Sequence, residues 1–308
     1  CEIVECRSRL SLLNSQRNFF VFGHPVALSA STTIHNIGFR FCNVPFIFAR
    51  YDALDVKDVL WKLSLTSTGG GAVTIPHKEE LLHHMDELSE PARAIGAVNT
   101  VTKQPGSKNL KGDNTDWIGI SRQLEPKLPQ QPGGRTGLII GAGGTARAAA
   151  YAFKHLGFEQ VYVLNRTVER ATALAAAFGE SFKVAGTVQE LEKLTRLDVV
   201  VATVPGGANA TLPEALLKAR RPVVMDAAYQ SSVSGVRFTA LLRQACEMSL
   251  PIVEGLEMLF EQGCAQSELW TGCPAPRREI ARALLSERFA CDVAPPRGLV
   301  FEAGRASS

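Results

Sequence analysis

Short apolar runs recur along the chain, each closed by glycine, proline or a small polar residue, and many lead into segments with helical spacing. Phe19 to Phe22 is aromatic and β-branched and predicts a first strand. Val44 to Tyr51 predicts a second, and Leu54 to Leu65 an amphipathic helix. Gly69, Gly70 and Gly71 approach a short strand that Pro76 stops, and Glu79–Leu88 has helical spacing. Ala94 to Val101 reads as a strand whose apolar run is interrupted by Asn99 and Thr100. A helix is expected to start near Asp116.

Prolines and paired glycines over 126–134 predict a surface linker. Beyond it a strand enters the turn Gly141-Ala142-Gly143-Gly144-Thr145-Ala146, and an alanine-rich helix over 145–156 follows. Gln160 to Asn165 is the next strand, completing a βαβ unit, and Leu197–Val204 and Pro222–Ala227 continue the alternation. From Val253 onward the pattern is mostly helical, with a loose tail expected from Pro295. Strands alternating with helices on both sides of a linker predict an α/β protein of two domains.

Composition narrows the class. The 308 residues, 45% hydrophobic, are enough for two cores. The 33 basic and 30 acidic side chains nearly balance, which gives no footprint for nucleic acid. No apolar run reaches membrane-spanning length and the start lacks a signal-peptide pattern. The first residue is cysteine, and polar ends flank the motifs, as in a piece of a longer polypeptide or a trimmed chain. Cys1, Cys6, Cys42, Cys246, Cys264, Cys273 and Cys291 include no C-x-x-C pair, so free thiols in a reducing compartment are expected rather than a zinc site or a disulfide framework. His83 and His84 read as a solvated helix face, and no metal site is expected.

The candidate chemistry gathers at a few points. A strand closing on Gly141, Gly143 and Gly144 and opening a helix presents backbone N–H groups to a pyrophosphate, and the βαβ spacing strengthens that reading. At the end of the second strand of such a unit, an acidic residue would bind the ribose of NAD. Asn165, Arg166 and Thr167 stand there instead, with Arg170 behind them, which suits the 2′-phosphate of NADP. Thr203 ends another strand at the carboxyl edge where open α/β sheets bind ligands. Ser29 and Ser31 alternate on a loop and could face one polar ligand, or could belong to an ordinary helix cap. Lys78 follows a strand-ending proline, where partial desolvation would suit a general acid or base; an exposed charge is the bland alternative. A buried Asn99 demands protein or ligand partners. Asp116 reads equally as a helix cap.

Taken in order over Phe19–Leu285, these motifs resemble the shikimate/quinate dehydrogenase family, most of all the fungal domains at the end of the pentafunctional aromatic-biosynthesis polypeptide. The resemblance implies a substrate domain over 19–125 plus 254–290, a Rossmann-like NADP-binding domain over 126–253 with the C-terminal helices returning to the substrate domain, and tails at 1–18 and 291–308. It also implies that Ser29 and Ser31 grip the substrate carboxylate, with Thr74, Asn99, Tyr229 and Gln262 around the ring. Lys78 and Asp116 handle the proton, and residues 141–147 and 165–167 hold NADP. The implied reaction is reversible reduction of 3-dehydroshikimate to shikimate in the cytoplasm. Quinate dehydrogenase is an alternative, as is a metabolite-sensing domain like that of the fungal quinate repressor, which would be nuclear. Two departures stand out: Thr32 replaces a proline usual after the serine pair, and Cys264–Ser267 replaces residues often aromatic in fungal relatives.

Overall fold

The apolar run at Phe19–Phe22 is the centre of a strand, β1 (Arg17–Gly23), whose residues are buried almost without alternation. Burial on both faces explains that composition, because β1 lies inside a sheet between parallel neighbours β2 (Phe46–Asp52) and β3 (Thr68–Val73). A computed structural model describes residues 16–104, 106–129, 134–229, 238–288 and 296–304. Cys1, Cys6, Cys291, most of the expected tail at 1–18, half of that at 291–308 and part of the 126–134 linker lie outside the described residues.

The chain divides into two compact units, one of residues 1–115 and 262–308 and the other of residues 116–261. In the first, helices α1 (Ser31–Phe41) and α2 (Val56–Ser64) alternate with the three parallel strands. The sheet then turns mixed: β5 (Thr100–Lys103) pairs antiparallel with β3 and with β6 (Leu110–Asp113), and β4 (Glu87–Leu88) borders β6. Phe19 gathers Phe39, Phe46 and Trp270 with ring centroids 5.0–5.3 Å apart. Trp270 comes from the far end of the sequence, on α9 (Gly255–Thr271), whose residues from Gln262 onward belong to this unit. Its close approach to α1 needs glycine: a Cβ on Gly38 would meet Ser267 Oγ at 2.2 Å, and one on Gly263 would meet Ile34 at 2.9 Å.

Three expectations are corrected here. Residues 94–101 are not one strand: α3 (Glu90–Ile95) occupies its start, capped by the Ser89 hydroxyl and closed by Gly96 in the left-handed region. Those local caps outweigh the apolar run, and the strand begins only at Thr100. Glu79–Leu88 is a 3₁₀ turn (Glu80–His84) followed by β4, not a helix. The C-terminal stretch is not loose throughout: α10 (Arg277–Arg288) is joined by α11 (Arg297–Gly304), which buries Leu299 and ties Glu302 to Arg277 at 3.2 Å.

The second unit carries an all-parallel sheet in the order β9-β8-β7-β10-β11-β12, formed by β7 (Thr136–Ile140), β8 (Gln160–Leu164), β9 (Phe182–Ala185), β10 (Val199–Ala202), β11 (Val223–Asp226) and β12 (Ile252–Glu254). The order reverses beside β7, the doubly wound arrangement of dinucleotide-binding folds. Its crossovers include α5 (Gly144–His155), α6 (Val168–Phe178), α7 (Glu214–Arg220) and α8 (Ala240–Glu247). Helix α4 (Asp116–Leu124) also falls in this unit, ahead of the Pro/Gly linker, with Trp117 edge-on to Tyr151 and His155 of α5.

Candidate active site

The first unit assembles its polar residues at the carboxyl ends of β1 and β3. β1 ends at Gly23, where a Cβ would meet Thr74 Cγ2 at 2.4 Å and the Ile75 carbonyl at 2.6 Å. Glycine therefore lets the two strand ends close together, and the Thr74 N–H donates to the Phe22 carbonyl at 2.8 Å. The next turn is anchored by His77, whose buried ring pairs with the Ala53 carbonyl at 2.8 Å. Lys78 follows, half-buried, its carbonyl accepting from Val98 N–H at 2.8 Å. That bond lays Lys78 beside the segment that carries Asn99.

Asn99 is almost fully buried and every polar atom of its amide is engaged. Its Nδ2 donates to Thr115 Oγ1 and to Gln262 Oε1, both at 3.0 Å. Its Oδ1 accepts from Thr115 N–H at 2.8 Å and from Thr100 Oγ1 at 2.6 Å. Gln266 extends the network, donating to the Asn99 carbonyl at 3.0 Å and to Thr100 Oγ1 at 2.9 Å. Protein partners thus answer the demand that a buried amide makes. Thr115 and Gln266 were not singled out from sequence. Gln266 had a readable signal, since it follows Gln262 by four residues and so shares its helix face.

Ser29 and Ser31 also meet. Ser31 opens α1, whose N-cap residue Ala30 offers no side-chain cap, and the Ser31 N–H donates to Ser29 Oγ at 3.3 Å. The capping reading and the ligand reading are therefore compatible: a hydroxyl oxygen that accepts from an amide retains its own proton for a carboxylate.

The second unit holds the remaining candidates. Gly141 has φ +117°, and a Cβ there would meet Thr203 Oγ1 at 2.4 Å, so the turn requires glycine. The Thr203 hydroxyl donates to the Ile140 carbonyl at 3.0 Å, fixing β10's end against the turn. Helix α5 starts at Gly144 with Gly143 as an N-cap that has no side chain to offer, so backbone N–H groups rather than a side-chain cap mark its start. Ala146 is fully buried, which the close packing of helix on sheet requires. At the end of β8, Asn165 Nδ2 donates to the Thr167 carbonyl at 2.8 Å, while Arg166, Thr167 and Arg170 are exposed. Arg170 reaches the Ala142 carbonyl only at 3.5 Å. Thr167 is the N-cap position of α6 but its hydroxyl does not cap it. An uncapped helix start, a turn with no room for a side chain and a strand end bearing guanidinium and hydroxyl groups fit a phosphorylated dinucleotide.

Asp116 is buried at the first position of α4, and Tyr229 is half-buried just past β11. Both belong to the second unit, whereas the other proton-handling and substrate candidates belong to the first. Near Tyr229, burial pushes the Asp226 carboxyl up to about 6, opposed by the Thr239 hydroxyl and the Ala228 N–H that it accepts from.

Comparison with known proteins returns matches in both units. Residues 21–101 match the model of the shikimate dehydrogenase substrate binding domain, residues 126–222 that of shikimate / quinate 5-dehydrogenase, and residues 255–285 that of the shikimate 5'-dehydrogenase C-terminal domain. The pentafunctional AROM polypeptide of Lachancea thermotolerans is 38% identical over 291 residues, covering 89% of this chain but only 18% of that polypeptide. Shikimate dehydrogenase of Aquifex aeolicus is 30% identical with a TM-score of 0.74, covering 87% of this chain and 97% of that one. The Thermus thermophilus shikimate 5-dehydrogenase solved in complex with NADP(H) and shikimate is 29% identical with a TM-score of 0.73, covering 88% and 99%.

Proposed function

The chain belongs to the shikimate dehydrogenase family, and from that membership we propose that it interconverts shikimate and 3-dehydroshikimate with NADP as its redox partner. The observation that carries the reading is the Asn99–Gln262 bond, which joins two motif residues from opposite ends of the sequence in one buried polar network. A network of amides and hydroxyls suits a ring bearing several hydroxyls, since each amide can both donate and accept.

In this mechanism Ser29 and Ser31 donate their hydroxyl protons to the substrate carboxylate. Asn99, Gln262, Thr74 and Tyr229 orient the ring hydroxyls. Lys78, with Asp116 as its charge partner, is the general acid in reduction: its ammonium gives a proton to the carbonyl oxygen as the carbon gains hydride. In oxidation the neutral amine takes that proton back. The N–H groups at the start of α5, around Gly143, Gly144 and Thr145, would hold the pyrophosphate. Asn165, Arg166, Thr167 and Arg170 would hold the 2′-phosphate, with Thr203 at the strand edge toward the nicotinamide. When bound, the dinucleotide supplies or accepts the hydride.

The chain covers less than a fifth of the pentafunctional polypeptides it resembles, and we place it as one catalytic part of such a cytoplasmic assembly. The test is absorbance in the NADPH band on mixing the chain with shikimate and NADP. Turnover is expected, falling in Lys78→Ala by the roughly 10²–10⁴-fold typical of a lost general acid–base group. A variant with near-normal turnover would remove Lys78 from this role. Absence of turnover in the native chain, with a raised melting temperature on adding shikimate or quinate, would instead identify a metabolite sensor.

A further inference from the structure

The loop that carries Ser29 lies between β1 and α1, and its two ends are held by one neighbouring strand. β2 is the edge of the first sheet and runs parallel to β1, with Val21 opposite Arg50 and Gly23 opposite Asp52. Arg50 and Asp52 are two residues apart and so share one side of the strand. Asp52 takes the loop's beginning: its carboxylate pairs with His24 Nδ1 at 2.5 Å and accepts from Val26 N–H at 3.3 Å. Arg50 takes the loop's end: Nε and Nη2 both donate to the Ser29 carbonyl, at 3.2 and 2.8 Å. The Thr32 hydroxyl approaches the same carbonyl at 3.5 Å. One turn further along α1, Asn36 exchanges two hydrogen bonds of 2.9 Å with the backbone of Phe48, so α1 itself is registered on β2.

We propose that Arg50 and Asp52 are positioning residues for the substrate carboxylate, clamping the serine loop so that the hydroxyls of Ser29 and Ser31 converge on one anion. The inference rests on the substrate reading above. Proline at the first positions of a helix presets the backbone there, and Thr32 gives no such constraint. The doubly donating guanidinium replaces it from outside, by fixing the peptide plane that leaves Ser29. That plane decides where Ser29 Oγ lies relative to the Ser31 N–H it accepts from. The Asp52 carboxyl is held below the usual carboxylate range mainly by the hydrogen bond to His24, so it remains an ionised acceptor for the loop's first amides. Arg50 also places a cation beside a loop meant for a carboxylate, where a Thr33–Glu287 hydrogen bond pins the next residue of the helix to α10.

The test uses Arg50→Met, Arg50→Lys and Asp52→Asn in the full chain, with Ser29→Ala as the marker of a lost carboxylate contact. Hydrogen exchange over residues 24–34 is measured without ligand, and shikimate binding by calorimetry alongside KM and kcat. In Arg50→Met, exchange of the loop is expected to accelerate about tenfold, and the shikimate Kd and KM to rise about tenfold, the size of a lost charge-assisted hydrogen bond. The KM for NADP and kcat at saturating shikimate should hold, and Arg50→Lys should recover part of the affinity. Unchanged exchange in Arg50→Met and Asp52→Asn would overturn the clamp. Faster exchange with unchanged shikimate affinity would overturn the positioning role and leave a merely structural one. A native chain that binds no shikimate would overturn the functional reading instead, and loop exchange in Arg50→Met would then decide the clamp by itself.

Discussion

Asn99 donates its side-chain N–H to Gln262 Oε1 at 3.0 Å, across 163 positions of the chain. The bond makes a glutamine of α9 part of the same buried network as the β5 approach. Removing each partner should therefore act differently. Asn99→Ala strands the Thr115 N–H and the Thr100 hydroxyl, two buried donors that lose their acceptor. A loss of about 1–3 kcal/mol per unsatisfied group is expected from urea denaturation. Gln262→Ala leaves Asn99 its bonds to Thr115 and Thr100, so it should be milder for stability while raising the shikimate KM about ten- to hundredfold.

Cofactor choice is expected to reside at the end of β8. Arg166→Ala removes an exposed guanidinium from the position where NAD enzymes carry an acid. Its kcat/KM with NADP should fall about ten- to hundredfold, the range of a lost charge-assisted contact to phosphate. Kinetics with NAD should barely move, and an equal loss with both cofactors would contradict the assignment.

His35 gives the first unit an acid-sensitive core. It is fully buried among Phe48 and Trp270, with ring centroids at 4.4 and 4.7 Å. Burial pushes its pKa down to about 3, with the neighbouring Gln266 pulling weakly the other way. The native state thus keeps the imidazole neutral while the unfolded chain takes up a proton below about pH 6.5. Stability should fall as pH drops from 6.5 toward 3, by at most about 1.4 kcal/mol per pH unit. Melting temperature against pH should show a shallower acid slope in His35→Phe than in the native chain.

Lys103 closes a helix. Its buried ammonium donates to the carbonyls of Leu63, Ser64 and Leu65, at 2.8, 3.3 and 2.8 Å, at the C-terminal end of α2. These are acceptors that the helix leaves without internal partners, and a cation also suits that end of its dipole. Lys103→Met should cost about 1–3 kcal/mol in chemical denaturation, without altering cofactor KM.

Much of the fold was legible because it depends on local composition. The runs ending at Ile140 and Ala202 are apolar and buried along their length, since parallel strands covered on both faces need no polar side. The turn at Gly141 needed glycine for a reason stated in the backbone itself, a positive φ and no space for a Cβ. Over 94–101 the apolar run gives way to capping signals at Ser89 and Gly96, which are also local features of the sequence.

By itself, the sequence determined the strand–helix alternation, the glycine turn at 141–144 and the absence of an acid at the end of β8, all properties of adjacent residues. Tertiary structure alone decided which polar side chains meet: Asn99 with Gln262, Arg50 with the Ser29 carbonyl, Trp270 with Phe19, Leu299 buried beyond the expected end of the fold. A pattern of apolar and polar positions states which face of an element turns inward. The partner that face finds depends on register and packing distance, which arise only when separate elements close on one another.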